Sequence, residues 1–371
     1  MIFDRQLLKN FGFSLIILSI VFALIGLLNL YSSSYHTGLS SFKKQTIWVF
    51  LGLVSMIAAS FLNPSLLNRY ASHIYLFSIF ILLLVVIFGK EVAGAKSWFQ
   101  IGQLSIQPSE FAKIALILII ARFYNNDFND GPFGLLDILK PIGFMLILFI
   151  LVMLQPDLGT GLILLLIGAS MFLFMGIKKR SLLFILIVII GLSIPAWNFF
   201  LKEYQKERIA SFIDPYSDPL GSGYNSIQSQ IAVGSGKMYG KGFISGSQSQ
   251  LRFIPAQQTD FAFSVLAEEW GFLGSILTLL IYFLIILTMI DTAGSAKDKF
   301  RMLVCFGSAA LFFWHAAINI GMVIGLLPVT GVPLLLLSYG GSSTITAFIT
   351  IGIVLGIRNR QIPKPEEDIE L

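Results

Sequence analysis

Met302–Ile357 runs for 56 residues without an Asp, Glu, Lys or Arg. About 20 apolar residues are enough to cross the hydrocarbon of a bilayer, so this stretch is too long for one helix. Pro328, Gly331, Pro333, Gly340 and Gly341 interrupt it. It therefore reads as two membrane helices joined by an apolar re-entrant turn. Shorter uncharged runs precede it at Asn10–Phe42, Gln45–Asn68, Tyr70–Gly89, Pro141–Pro156, Leu158–Ile177, Ser181–Leu201 and Trp270–Ile290. Pro108–Tyr124 is apolar as well but carries charges inside it. The expectation is an all-α, polytopic membrane protein of about ten transmembrane helices, with residues 1–371 forming a single integral membrane domain. Composition agrees, with 56% hydrophobic and 12% charged residues against roughly 25% charged in soluble chains. A soluble enzyme, a disordered tail protein and a disulfide-stapled secreted scaffold are all excluded.

Lys and Arg in the short connections set the orientation. With both termini inside, the inner connections and ends hold fourteen of them and the outer short loops only Lys43, Lys44, Lys90 and Lys96. Both termini are thus expected in the cytoplasm, and residues 361–371 read as a disordered cytoplasmic tail. A long extracytoplasmic loop, 203–260, lies between spans 7 and 8. Within it, Tyr224–Val233 places Ile227 and Ile231 four apart, the spacing of a short amphipathic helix on the membrane surface.

Polar residues collect on the outer side. Pro108 and Ser109 suit the first turn of a helix. Glu110 and Lys113 then stand at i and i+3 on one face, one turn into the membrane, where charges are costly unless paired or facing a wet cavity; they read either as a structural ion pair or as a substrate-binding pair that touches a charged substrate. Asp157, in Gln155-Pro156-Asp157-Leu158-Gly159-Thr160, sits at a tight outer hairpin and suits a helix cap or a cation ligand. Asp260 lies where the long loop re-enters the membrane, with Glu268 and Glu269 a little over two turns on. Partial desolvation there would raise its pKa and suit it to general-base work, while an N-cap is the plainer reading. Ser338 and Gly340 belong to the broken connection before the last span, where amides at a restarted helix could hold a phosphate or carboxylate. His315 and Asn319, at i and i+4, read as an interhelical hydrogen-bond pair.

Other chemistries lack their residues. Cys305 is the only cysteine, and His36, His73 and His315 are far apart, so no Cys- or His-rich metal site is expected. Gly234-Ser235-Gly236-Lys237 fails as a phosphate loop because Met238 follows the lysine and the first glycine is missing. No nucleotide and no nucleic acid is expected as a ligand.

Taken together, Pro108–Lys113, Gln155–Thr160, Thr259–Glu269, and Gly331-Val332-Pro333 running into Ser338–Ser342 resemble the shape, elongation, division and sporulation (SEDS) proteins of bacteria. The resemblance spans nearly the whole chain in the expected order. Gly234-Ser235-Gly236, Gly240-Lys241-Gly242 and Gly246–Leu251 are most similar to the elongation branch. The chain departs from the family at Gln257-Gln258, where Glu-His is frequent, and at Trp270, where Leu is common.

The resemblance implies a peptidoglycan glycosyltransferase of the bacterial cytoplasmic membrane, with its active site facing outward. It would polymerise lipid II carried on undecaprenyl pyrophosphate. It also implies partners: a class B penicillin-binding protein with transpeptidase activity and other elongation-complex proteins. Membrane lipid would surround the whole. The family's essential aspartate maps onto Asp260 and its Glu and Lys of the fourth span onto Glu110 and Lys113. The leaving pyrophosphate needs positive charge, for which Lys113, Arg208, Lys241 and a divalent cation (Mg or Mn) are candidates. Asp157, Glu268, Glu269, Ser338 and Gly340 are candidate supporting residues. A lipid II flippase is the main rival reading, and a scaffold that only anchors a cell-wall partner is the third.

Overall fold

The structure, a computed structural model, describes residues 12–92, 95–101, 104–127, 131–195, 197–198, 203–219, 221 and 223–361. Arg5 and Lys9, which enter the orientation argument, and the tail beyond Gln361 lie outside the described residues.

Among the described residues, seven α-helices precede the long polar segment: α1 Phe13–Ser34, α2 Ser40–Ser60, α3 Pro64–Phe88, α4 Pro108–Asn125, α5 Leu135–Met153, α6 Leu158–Met175 and α7 Lys179–Pro195. That segment contributes α8 Glu203–Ile213, α9 Tyr224–Ser235 and α10 Ser247–Gln250. The chain closes with α11 Ala262–Gly294, α12 Lys299–Val323 and α13 Gly341–Asn359. Eight of these helices are long and apolar enough to cross a membrane. The other two expected spans, α4 and α7, fall short of that measure because α4 carries Glu110, Lys113 and Arg122 and α7 has 17 residues. Helix starts follow the local chemistry. Pro108 opens α4 and Pro64 opens α3, where the Asn63 side chain accepts the Ser65 N–H.

Between α3 and α4 the chain forms strands that the apolar runs do not announce. Lys90–Val92 (β1), Ala95–Ile101 (β2) and Leu104–Ile106 (β3) form an antiparallel sheet in the order β1-β2-β3, with Val92 opposite Ala95 and Ile101 opposite Leu104. These short strands leave no long apolar run, so they were hidden behind the span pattern.

The core is central rather than spread evenly. The most apolar 18-residue stretches of α12 and α13 are 72% and 78% buried, against 22% for α3. Helices α3, α5, α7 and the inner half of α11 turn Leu, Ile and Phe outward, as lipid-facing helices do. Small residues allow the closest approach of α2 to α13: a Cβ on Gly352 would lie 2.3 Å from the Met56 carbonyl oxygen. Arg360 closes two helix ends, donating to the carbonyls of Ser60, Phe61 and Gly356. Arg122, in the last turn of α4, donates to the carbonyls of Asn68 and Arg69 in α3.

Candidate active site

Asp260 sits just ahead of α11, between that helix and the connection from α12 to α13. Its main-chain oxygen accepts a 2.8 Å hydrogen bond from Asn319 Nδ2. The same amide donates to the Val332 carbonyl at 2.7 Å. Gly331, with φ +74°, faces the aspartate so closely that a Cβ there would stand 3.6 Å from Asp260 Oδ2. Partial burial strips water from the carboxylate and raises its pKa above the ordinary aspartate value. The Thr259 hydroxyl and the Arg208 charge pull it down less strongly, and the Asp157 charge adds a further rise. A carboxylate so placed accepts a proton more readily than a solvated one.

Arg208, exposed on α8, is near enough for its charge to act on Asp260. Lys113 and Lys241 each pair with a carboxylate. Lys113 is only 1% exposed and donates to Glu110 Oε1 at 2.8 Å, while His315 Nε2 lies 2.9 Å from it. Lys241 donates to Glu268 Oε1 at 2.7 Å and to Ser247 Oγ at 2.7 Å.

Glu268 also accepts the Gln248 and Ser249 N–H groups at 2.8 and 3.0 Å. It thereby ties the segment around α10 to α11. Glu269 accepts from Ser32 Oγ at 2.5 Å and Gln250 Nε2 at 3.2 Å, joining α11 to α1 and α10. Asn29 Nδ2, one turn before Ser32, donates to the Ala262 carbonyl at 2.8 Å. Asn29, Ser32 and Ser33 were legible as polar residues at helical spacing inside an apolar span, a signal the sequence reading passed over.

The long segment between α7 and α11 is stitched into a break in α11. Gly271 leaves the helix at φ +68°, ψ −164°, a conformation essentially reserved for glycine. The amides of Phe272 and Leu273 donate to the carbonyls of Lys237 and Met238, and the amides of Lys241 and Gly242 donate to those of Glu268 and Glu269. Four groups orphaned by the break are thus satisfied by the loop after α9. Helix α9 occurs where the amphipathic pattern placed one, but its buried face is Ser226, Ser229 and Ala232, with Ile231 exposed. Small residues let it pack onto α11 and α12, where Ser229 Oγ meets Ser264 Oγ at 2.8 Å and donates to the Val323 carbonyl at 2.8 Å.

Asp157 caps α6: Thr160 donates to it through its N–H at 3.0 Å and its hydroxyl at 2.8 Å. Gln107 Nε2 donates to Asp157 Oδ2 at 2.8 Å, and the Gln107 N–H donates to Ser342 Oγ at 2.9 Å. Ser338 Oγ accepts the Leu334 N–H, and the Gly340 N–H donates to Gln45 Oε1 at 3.1 Å. Both supporting residues therefore tie down the connection before α13. Among the described residues, no three His, Cys, Asp or Glu side chains converge as metal ligands.

The chain as a whole has counterparts among known proteins. The FtsW, RodA and SpoVE family of cell cycle proteins matches residues 6–362. The peptidoglycan glycosyltransferase MrdB of Escherichia coli (strain K12) is 40% identical over 316 residues, covering 84% of each chain. The peptidoglycan glycosyltransferase RodA of Treponema pallidum is 31% identical, covering 95% of this chain and 99% of its own. Among solved structures, one from a peptidoglycan synthase complex described as coordinating polymerization and crosslinking superposes with TM-score 0.81 and 31% identity over 95% of this chain and 99% of the other. The rod shape determining protein RodA of Thermus thermophilus superposes with TM-score 0.70 and 27% identity, over 94% of this chain and 97% of its own.

Proposed function

The chain belongs to the FtsW, RodA and SpoVE family of cell cycle proteins, and from that premise we propose that it is a peptidoglycan glycosyltransferase of cell elongation with Asp260 as its base. The activity itself is carried by relatives named peptidoglycan glycosyltransferase, MrdB and RodA. The single observation behind the residue assignment is that Asp260 is a partly buried carboxylate at the outer mouth of the helix assembly, its main chain held by Asn319 and its side chain facing Gly331.

The substrate in this reading is lipid II. The acceptor's 4-hydroxyl attacks the donor's anomeric carbon and gives its proton to Asp260. The bond from that carbon to the pyrophosphate oxygen breaks, and the undecaprenyl pyrophosphate leaves with the electron pair, inverting the anomeric centre. Arg208 is the cation assigned to the departing phosphates, because its charge reaches Asp260. An arginine fork can grip two phosphate oxygens at once.

We assign the site to the outer face of the cytoplasmic membrane, where Asp260, Asp157 and Arg208 lie by the positive-inside orientation. A cross-linking transpeptidase of the penicillin-binding class is the partner this reading supplies, supported by the likeness to a complex that coordinates polymerization and crosslinking.

The test is glycan synthesis from labelled lipid II by the purified protein with its transpeptidase partner, read as a ladder on a gel. Wild type is expected to give a ladder. Asp260→Asn is expected to give none while inserting and folding normally. A full ladder from that variant would remove Asp260 as the base, and lipid II scrambling in vesicles without any ladder from wild type would favour the flippase.

A further inference from the structure

The Glu110–Lys113 pair does not end at itself. An ammonium group has three N–H donors and no acceptor, so the nitrogen of His315 that lies 2.9 Å from Lys113 Nζ must present its lone pair. The ring is then neutral with its proton on Nδ1, and that N–H donates to the Pro333 carbonyl at 2.9 Å. The lysine charge thus selects the tautomer that grips the connection after α12. One helical turn on, both protons of the Asn319 amide are used, on the carbonyls of Asp260 and Val332. Rotating that amide by half a turn would aim its oxygen at two carbonyl oxygens, so its orientation is fixed as well. From the other side, α6 closes in at Gly159, where a Cβ would fall 2.6 Å from the Thr330 oxygen. His315 and Asn319 are 1% and 0% exposed, so neither can touch a substrate.

We infer that His315 and Asn319 are positioning residues that link the buried Glu110–Lys113 charge pair to the 330–333 turn and, through it, hold Asp260 at its working position. The Asp260 main chain and the Gly331 turn opposite its carboxylate hang from the same asparagine, so they move together or not at all. Displacing a reacting group by about 1 Å can cost on the order of a hundredfold in rate. The inference rests on Asp260 being the base, and the experiment keeps the two apart.

The full-length protein would be reconstituted with its transpeptidase partner, and kcat and KM for lipid II measured per folded molecule. Asn319→Asp keeps the shape but replaces the donor by an oxygen. It is expected to lower kcat at least tenfold with KM within twofold of wild type. His315→Leu is expected to do the same, and His315→Gln, which can again donate to Pro333 and accept from Lys113, to recover most of the loss. Combining Lys113→Met with His315→Leu should fall short of the product of the two single effects, because the pair acts through one path.

Losses confined to yield or thermal stability, with kcat per folded molecule unchanged, would overturn the inference. So would His315→Gln being no better than His315→Leu. The glutamine–leucine comparison still decides if Asn319→Asp does not fold. Asp260→Asn run alongside judges the base separately: an active Asp260→Asn defeats that assignment whatever the positioning variants do.

Discussion

Two of the lysine–glutamate pairs among the described residues, Glu110–Lys113 and Lys241–Glu268, are built in opposite ways. Glu110 and Lys113 are one helical turn apart on α4 and are 3% and 1% exposed. Apart from each other their partner is His315, and Glu110 Oε2 has none among the described residues. Lys241 and Glu268 are 27 residues apart, and the lysine side chain keeps 27% of its surface exposed. Glu268 draws on two main-chain N–H groups besides the lysine. The first pair is a local charge that acquires its purpose from another helix. The second is an anchor in which the lysine is one donor among several. Residue types alone do not reveal whether a buried charge links helices or fastens a loop; the surrounding donors do.

Removing one ion from each pair should separate them most strongly. Lys113→Met leaves Glu110 buried and unneutralised, which is expected to cost about 3–5 kcal/mol. Thermal unfolding in detergent would show it, and adding Glu110→Gln should return much of the loss. If the double variant is no more stable than Lys113→Met, the pair is not the unit described here. Activity should fall in each single variant, through the displaced 330–333 turn.

Cutting the outer anchor should do less to the whole and more to the segment. Glu268→Gln weakens hydrogen bonds that involve a charged acceptor, an effect of about 1.5–3 kcal/mol. The expected readout is faster tryptic cleavage after Lys237, Lys241 or Arg252, with global unfolding shifted less than by Lys113→Met. Lys241→Met, which leaves the two amide donors on Glu268, is expected to cost less than Glu268→Gln. Equal cleavage rates in the two variants would mean that the lysine carries the anchor after all.

The smallest effect concerns Asp260 itself. Its raised pKa means that its contribution to stability is full below the ordinary aspartate value and is lost as pH rises through the folded value. Asp260→Asn is therefore expected to be slightly more stable than wild type at neutral pH. The gap should close as the solution is acidified below the ordinary aspartate range. Wild-type activity runs the other way: it requires the ionised base, so its acid limb is expected above the pH at which a solvated aspartate titrates. An acid limb at or below that pH would contradict the desolvation of Asp260.

The elements differ in how far they could be read. A helix occurs at each of the ten expected spans, and eight of these are long and apolar enough to cross a membrane, because bilayer thickness forces long apolar runs. The site was legible as a set of polar residues out of place, and Asp157 as a cap follows from its position ahead of α6. The three short strands were not legible, and neither was the buried face of α9. There the isoleucine spacing described the surface and not the contact, since helices pack closely through Ser226, Ser229 and Ala232. The break in α11 was missed because a single glycine in an apolar helix, Gly271, signals nothing until a loop arrives to satisfy the groups it frees.

The sequence by itself determined which stretches form long apolar helices, that Glu110 and Lys113 share a face, and that Asp260 stands where the long polar segment gives way to an apolar helix. Those facts follow from the period of one helix and from the apolar thickness it must span. Only the tertiary structure decided that Lys113 points at His315, that Asn319 holds Asp260 and Val332 together, and that the loop after α9 fills the gap at Gly271. The reason is physical: spacing within a helix fixes the directions of its side chains relative to one another. The rotation of one helix against the next is set instead by packing and hydrogen bonds between residues far apart in the chain.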